Sequence, residues 1–158
     1  MVESIIRGLD SQLVCTGYHV KDTQVIFYIS SGRKEAECPF CGEASSKVHS
    51  HYQREIQDLP IQDRQAILLL DVRKMLCQNP ECSHTAFAER FGFVGDKGKK
   101  TRRLAEKILV ASAKVSSVSA SKILAKDAVR VSKSSICDML KKNTSHCGQG
   151  PCHKGLHR

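Results

Sequence analysis

Large aromatic side chains are scarce here: tryptophan is absent, and five phenylalanines and three tyrosines serve all 158 residues. So few rings leave little for an aromatic core, and the length allows one ordinary domain or two small ones. Long apolar runs are also missing. The start, Met1-Val2-Glu3-Ser4-Ile5-Ile6-Arg7, is interrupted by charge, which argues against a signal peptide or membrane span and makes a reducing cytosol the expected setting. Acidic residues run short in one region only. Residues 1–93 carry 10 Lys/Arg against 12 Asp/Glu, whereas residues 94–143 carry 13 against 4. That second stretch alone equals the net charge of +9 of the whole chain. It points to a polyanionic partner, nucleic acid ahead of an acidic membrane surface, with a solvated helix face as the plainer alternative.

Cysteine, by contrast, is plentiful at eight residues. Cys38-Pro39-Phe40-Cys41, followed by Gly42, and Cys77-Gln78-Asn79-Pro80-Glu81-Cys82 stand with 35 residues between them. This spacing predicts one four-sulfur site, Cys38, Cys41, Cys77 and Cys82, holding a single structural Zn2+. A tight loop closed by glycine lets two thiolates face one ion, and a structural metal replaces much of the core that the missing rings would have supplied. A redox dithiol needs a strand running into a helix, which neither flank of Cys38 suggests, and a disulfide framework is disfavoured in a reducing compartment. His49, His51 and His84 lie near the cysteines but are not needed as ligands once four sulfurs complete the tetrahedron. Cys15 and Cys137 sit in apolar surroundings and are expected to be small buried hydrophobes.

The expected fold class is α+β: a small β-rich, zinc-ribbon-like module over residues 1–93, with an N-terminal strand segment, then a three-helix helix-turn-helix module over residues 94–143. In the first module, Gln24 to Ser30 reads as a strand ending at Ser31-Gly32. Val48 to Arg54 reads as an edge strand, Asp58-Leu59-Pro60 as a break, and Gln65 to Leu76 as a strand buried on both faces that delivers Cys77. In the second, Leu104, Ile108, Ala111 and Val115 recur at helical spacing. Ser116, Ser117 and Ser119 offer capping oxygens for a second helix with Ile123 and Leu124 inward, and Ser132 caps a third helix carrying Ile136, Met139 and Leu140. In a helix-turn-helix the third helix enters the DNA major groove by its N-terminal end. Ser132, Lys133, Ser134 and Ser135 would then approach base edges, while Arg102, Arg103, Lys141 and Lys142 would hold phosphates. A plain basic three-helix bundle has the same periodicity.

Taken in order, Glu35 to Gly42, His49 to Arg54, Asp58-Leu59-Pro60, Cys77 to Cys82 and Thr85 to Phe91 resemble the N-terminal region of insertion-sequence transposases of the ISL-three family. Thr101 to Leu104 and Val131-Ser132 resemble that family's helix-turn-helix segment, so the likeness covers roughly residues 10–143. The resemblance implies a truncated transposase: a zinc-dependent, sequence-specific binder of the terminal inverted repeats of a mobile element. It would be cytoplasmic and nucleoid-associated, self-associating or joining intact transposase, and able to regulate transposition. Family members continue into a catalytic domain whose three acidic residues hold two metal ions. Scattered acids such as Asp71, Asp96 and Asp127 do not replace it, so no catalytic residue and no enzymatic activity are expected. A zinc-ribbon protein adaptor or a nonfunctional remnant are the alternatives. Residues 144–158 are expected to form a disordered tail in preference to a second metal site made by His146, Cys147, Cys152 and His153.

Overall fold

The computed structural model describes residues 2–146. It is mixed α+β, with a β-rich sheet and four helices among the described residues, and it divides into two compact units after Leu104. None of these helices is long and apolar enough to cross a membrane.

The first unit starts with a short helix, α1 (Val2–Arg7), where the sequence suggested only a strand segment. Strands β1 (Leu13–Val20), β2 (Gln24–Ser31), β5 (Val48–Ile61) and β6 (Arg64–Leu76) build a sheet in the order β1-β2-β6-β5. Strand β7 (Ala86–Ala88) pairs antiparallel with the far end of β6, beyond the reach of β2. All neighbours are antiparallel except β2 and β6, which run parallel from Gln24 opposite Gln65 to Ser30 opposite Asp71. A parallel pair needs a long connection. Here it holds the short hairpin of β3 (Ala36–Glu37) and β4 (Ala44–Ser45) and then β5.

Strand β6 carries the core because it has a partner on each edge. Gln65 to Leu68 are buried in succession, but from Leu69 onward burial alternates, with Leu69, Asp71 and Arg73 half-buried, so only the start of β6 is buried on both faces as read from the sequence. One face packs Leu68, Leu70 and Val72 with Val25, Phe27, Ile29 and Ile56, and Ile6, Phe91, Phe93 and Val94 belong to the same cluster. The aromatic shortage is thus offset by β-branched and leucine side chains. Fully burying one such side chain is worth about 1.5–3 kcal/mol.

Two expectations are corrected here. Asp58-Leu59-Pro60 is not a break but part of β5, where the ladder slips between Asp58 and Ile61. Proline lacks the N–H that a regular ladder needs, and a bulge accommodates it. The chain reverses two residues later, at Gln62 and Asp63, both with positive φ (49° and 58°), as a tight two-residue hairpin turn requires. Strand β5 also runs well past the Val48–Arg54 segment read as an edge strand: β5 and β6 have 14 and 13 residues, so the two cysteine loops sit at the open end of a long hairpin.

The second unit contains most of α2 (Arg102–Ala113), then α3 (Ser117–Lys126) and α4 (Lys133–His146). Serines start the last two helices. Ser116 Oγ accepts from Ser119 N–H at 3.3 Å, and Ser132 Oγ accepts from Ser135 N–H at 3.2 Å. Helix α3 ends with Ala128 in the left-handed region (φ 55°), while Val129 N–H donates to Leu124 C=O at 2.9 Å. That is a Schellman-type stop, and the two side chains it joins are both buried. Ile123 is 48% exposed, against the expectation that it faces inward. Its neighbour Leu124 shares the buried stripe with Ala120 instead, because adjacent helical residues point about 100° apart.

Candidate metal centre

The first knuckle closes the β3–β4 hairpin. Gly42 N–H donates to Cys38 C=O at 2.8 Å, Cys38 N–H donates to Glu43 C=O at 2.8 Å, and Gly42 takes φ 78°, which its lack of a Cβ permits. The second knuckle leaves β6 at Leu76. Asn79 organises it, its side-chain oxygen accepting from Glu81 N–H at 2.9 Å and its carbonyl from Cys82 N–H at 3.2 Å. Two bonds to Leu76 tie the knuckles together: Ser45 Oγ–H donates to its carbonyl at 2.6 Å, and its N–H donates to Lys47 C=O at 2.8 Å. Beneath them lies a small cluster of Ala36, Cys38, Met75 and Phe87, with Cys77 and Cys82 packed against it.

These constraints bring Cys38, Cys41, Cys77 and Cys82 together, with all four Sγ atoms within 4.8 Å of one another. Across the knuckles, Cys41 and Cys77 are 3.5 Å apart and Cys38 and Cys82 are 4.0 Å apart. A disulfide needs about 2.0 Å between sulfurs. A tetrahedral zinc with Zn–S bonds of about 2.3 Å places its sulfurs about 3.8 Å apart, so the cluster fits that ion in both number and spacing. The donor set is soft and four-sulfur, which suits zinc and leaves no position open for substrate.

The electrostatics also favour a cation. Burial pushes the Cys38 thiol up, but hydrogen bonds from the Phe40 and Cys41 amides, with the Cys41 and Cys77 thiols, outweigh it and lower it to about 7. At Cys77 the Asn79 amide pulls down, yet burial and the neighbouring sulfurs win and raise it to about 12. Cys82 is raised as well, the His84 amide being outweighed by burial and the Cys41 sulfur. One thiolate forms readily and its neighbours then resist ionising. A divalent ion removes that conflict, since every sulfur can bind it as thiolate.

Residues 34–82 match the family model described as the zinc-finger of transposase IS204/IS1001/IS1096/IS1165. The matched segment spans β3 to β6 and all four cysteines. No curated protein and no solved structure matches the chain. The transposase-type zinc finger is therefore the part of this molecule on which sequence, geometry and family model agree.

The three histidines lie outside the sulfur cluster. His49 Nδ1 is 3.1 Å from Ser50 Oγ and His51 Nδ1 is 2.8 Å from Asp71. His84 stacks on Phe40 with ring centroids 3.4 Å apart, which joins the knuckles on the outside. Cys15 and Cys137 are half-buried, and Cys147, Cys152 and His153 lie outside the described residues.

Of the residues expected to meet DNA, Ser132, Lys133 and Ser134 are exposed and Ser135 is half-buried, together at the N-terminal end of α4. Lys141 and Lys142 are exposed further along that helix, and Arg102 is exposed at the start of α2. Arg103 is engaged internally. Its Nε donates to Asp58 Oδ1 at 2.8 Å and its Nη2 bonds the other carboxylate oxygen, while Thr101 Oγ1 donates to Oδ1 at 2.7 Å. Asp58 is 2% exposed, and its carboxylate raises the Arg103 guanidinium further. A second buried carboxylate, Glu89, is held by Arg73 through bonds of 2.9 and 3.0 Å. Sequence reading missed both, because neither partner stands at a telling spacing.

Proposed function

We propose that this chain is a zinc-dependent, sequence-specific DNA-binding protein of the transposase type, directed at the terminal inverted repeats of a mobile element. The observation that carries the reading is the transposase zinc finger, with its four-sulfur cluster, joined in one chain to helices of strongly basic composition. In this reading one Zn2+ is held by Cys38, Cys41, Cys77 and Cys82, and α2 to α4 act as a helix-turn-helix. Ser132 to Ser135 approach base edges, and Arg102, Lys141 and Lys142 take phosphates. Arg103 shapes the start of α2 through Asp58.

We further propose that binding occurs without cutting, so that occupied ends are withheld from intact transposase. In support, Asp71 pairs with His51, Asp96 with Arg90 at 3.1 Å, and Asp127 sits at the end of α3. Metal-dependent strand transfer by the purified chain on terminal-repeat DNA would overturn this part.

The deciding measurement is fluorescence anisotropy of the zinc-loaded chain on duplexes from its own element ends, with scrambled duplexes as competitors at physiological salt. The reading expects a preference of ~10³ or more for the ends. Equal, salt-sensitive binding to every duplex rejects it. One observation favours an adaptor as the second reading: β1 stands at an edge of the sheet among the described residues and carries Val14, Tyr18 and Val20, each about half exposed. Sedimentation of wild type against Val20→Lys tests it, since the adaptor reading expects self-association that the lysine abolishes.

A further inference from the structure

A groove of about 370 Å³ lies in the first unit beside the first knuckle. Its origin is in the sheet. On β5 and β6 the alternation that points Ile56, Leu70 and Val72 into the core continues toward the zinc end as Tyr52 and Lys74. There Phe91 and Val94 cover the core and form the apolar floor at one side, but the surface beyond stays open. Phe40 borders the other side, 51% exposed and backed by the His84 ring, and Tyr52 is 43% exposed. The remaining wall is fixed rather than loose. Arg54 Nη2 donates to the carbonyls of Gly95 and Gly98 at 2.9 and 2.8 Å, pinning the turn that carries Asp96 and Lys97.

The charges along the groove are mostly positive. Lys74 and Lys97 are exposed and make no ion pair among the described residues, while Arg90 is paired with Asp96. The other acid of the lining, Glu89, is 3% exposed and already neutralised by Arg73. Two ring faces above an apolar floor, with free ammonium groups at the rim, match one ligand chemistry well: a flat base attached to an anionic backbone. A duplex keeps its bases stacked and offers no face to these rings.

We propose that this groove seats an unstacked nucleotide of single-stranded DNA, with Tyr52 and Phe40 as stacking platforms and Lys74 and Lys97 as phosphate contacts. The proposal rests on the nucleic-acid reading above, but on different residues. The zinc finger would then hold a frayed or displaced strand, a task separate from reading a duplex with α4.

The test uses the full zinc-loaded chain and a labelled oligothymidylate twelve nucleotides long, followed by anisotropy. Because tryptophan is absent, tyrosine emission can be followed directly. Binding is expected to quench it in wild type, and less in Tyr52→Phe, which should bind with affinity near that of wild type. Tyr52→Ala is expected to weaken oligothymidylate binding by ~5-fold to ~100-fold with duplex affinity changed less than ~2-fold. Should Tyr52→Ala lose zinc, the exposed pair Lys74→Ala and Lys97→Ala replaces it, with the same selective loss expected. Unchanged oligothymidylate affinity in these variants, or displacement by polyglutamate as effective as by oligothymidylate, overturns the proposal. In the wild type, oligothymidylate binding without any duplex preference strikes the helix-turn-helix reading and leaves the groove standing. A wild-type duplex preference without oligothymidylate binding strikes the groove alone.

Discussion

The two units hold their shape by different means. In the first, segments far apart in sequence meet through a parallel strand pair, a long hairpin and four converging sulfurs. In the second, each helix is set by neighbours in the chain: Ser116 and Ser132 begin α3 and α4, and the Ala128 turn ends α3. The difference teaches where a metal matters. Four clustered sulfurs, of which Cys77 and Cys82 resist ionising, give the end of the first unit a use for an ion, whereas nothing in the helical caps has one.

The sharpest way to break that contrast is to remove the metal. Structural zinc contributes roughly 10–16 kcal/mol in zinc-finger peptides, so a chelator or Cys38→Ser should empty the site and unfold the knuckle end of the sheet. The helical circular dichroism of α2 to α4 should persist. Helical signal lost in step with zinc would show that the units do not differ in this way.

Acid gives a graded version. Protons and zinc compete for sulfur, so affinity must fall as pH falls. With Cys77 at about 12 and Cys82 also raised, at least two protons leave on binding around pH 8, and apparent zinc affinity should rise by ~10²-fold or more per pH unit. Below about 7 Cys38 is also protonated, and the slope should steepen by a further ~10-fold per unit, to ~10³-fold or more. Competition with a chromogenic chelator from pH 6 to 8 measures both slopes.

Asp58→Ala tests the part of the first unit that needs no metal. It strands Arg103 and Thr101, and because the Arg103 side chain is 36% exposed the cost should be about 2–3 kcal/mol, below that of breaking a fully buried pair. Thermal melting of the zinc-loaded protein reads it, and zinc content should not change. The smallest effects belong to the second unit. Lys133→Ala should cost about 1–3 kcal/mol on the preferred duplex and relax its sequence preference, while Lys142→Ala should lower the salt slope by about 1 on every duplex. Equal behaviour of the two lysines would remove the recognition role given to the start of α4.

Much of the candidate site was legible beforehand. Two knuckles with glycine or proline in their loops announce four convergent sulfurs because the constraint is local, and the apolar run of β6 signalled a core strand, although only Gln65 to Leu68 are buried on both faces. The pairing of Asp58 with Arg103 was not legible, for it joins residues 45 positions apart that share no motif. Nor was the continuation of β5 through Pro60, because proline reads as a stop until a bulge absorbs it.

What the sequence determined by itself is therefore the chemistry that short range dictates: a four-cysteine set suited to a soft metal, the serine caps, and a positive charge concentrated after residue 94. Only the tertiary structure decided which strands pair in parallel, which arginine turns inward, and that Phe40, Tyr52, Lys74 and Lys97 border one groove. Those outcomes depend on register between distant segments, and register is set by how the whole apolar face packs rather than by any residue's neighbours in the chain.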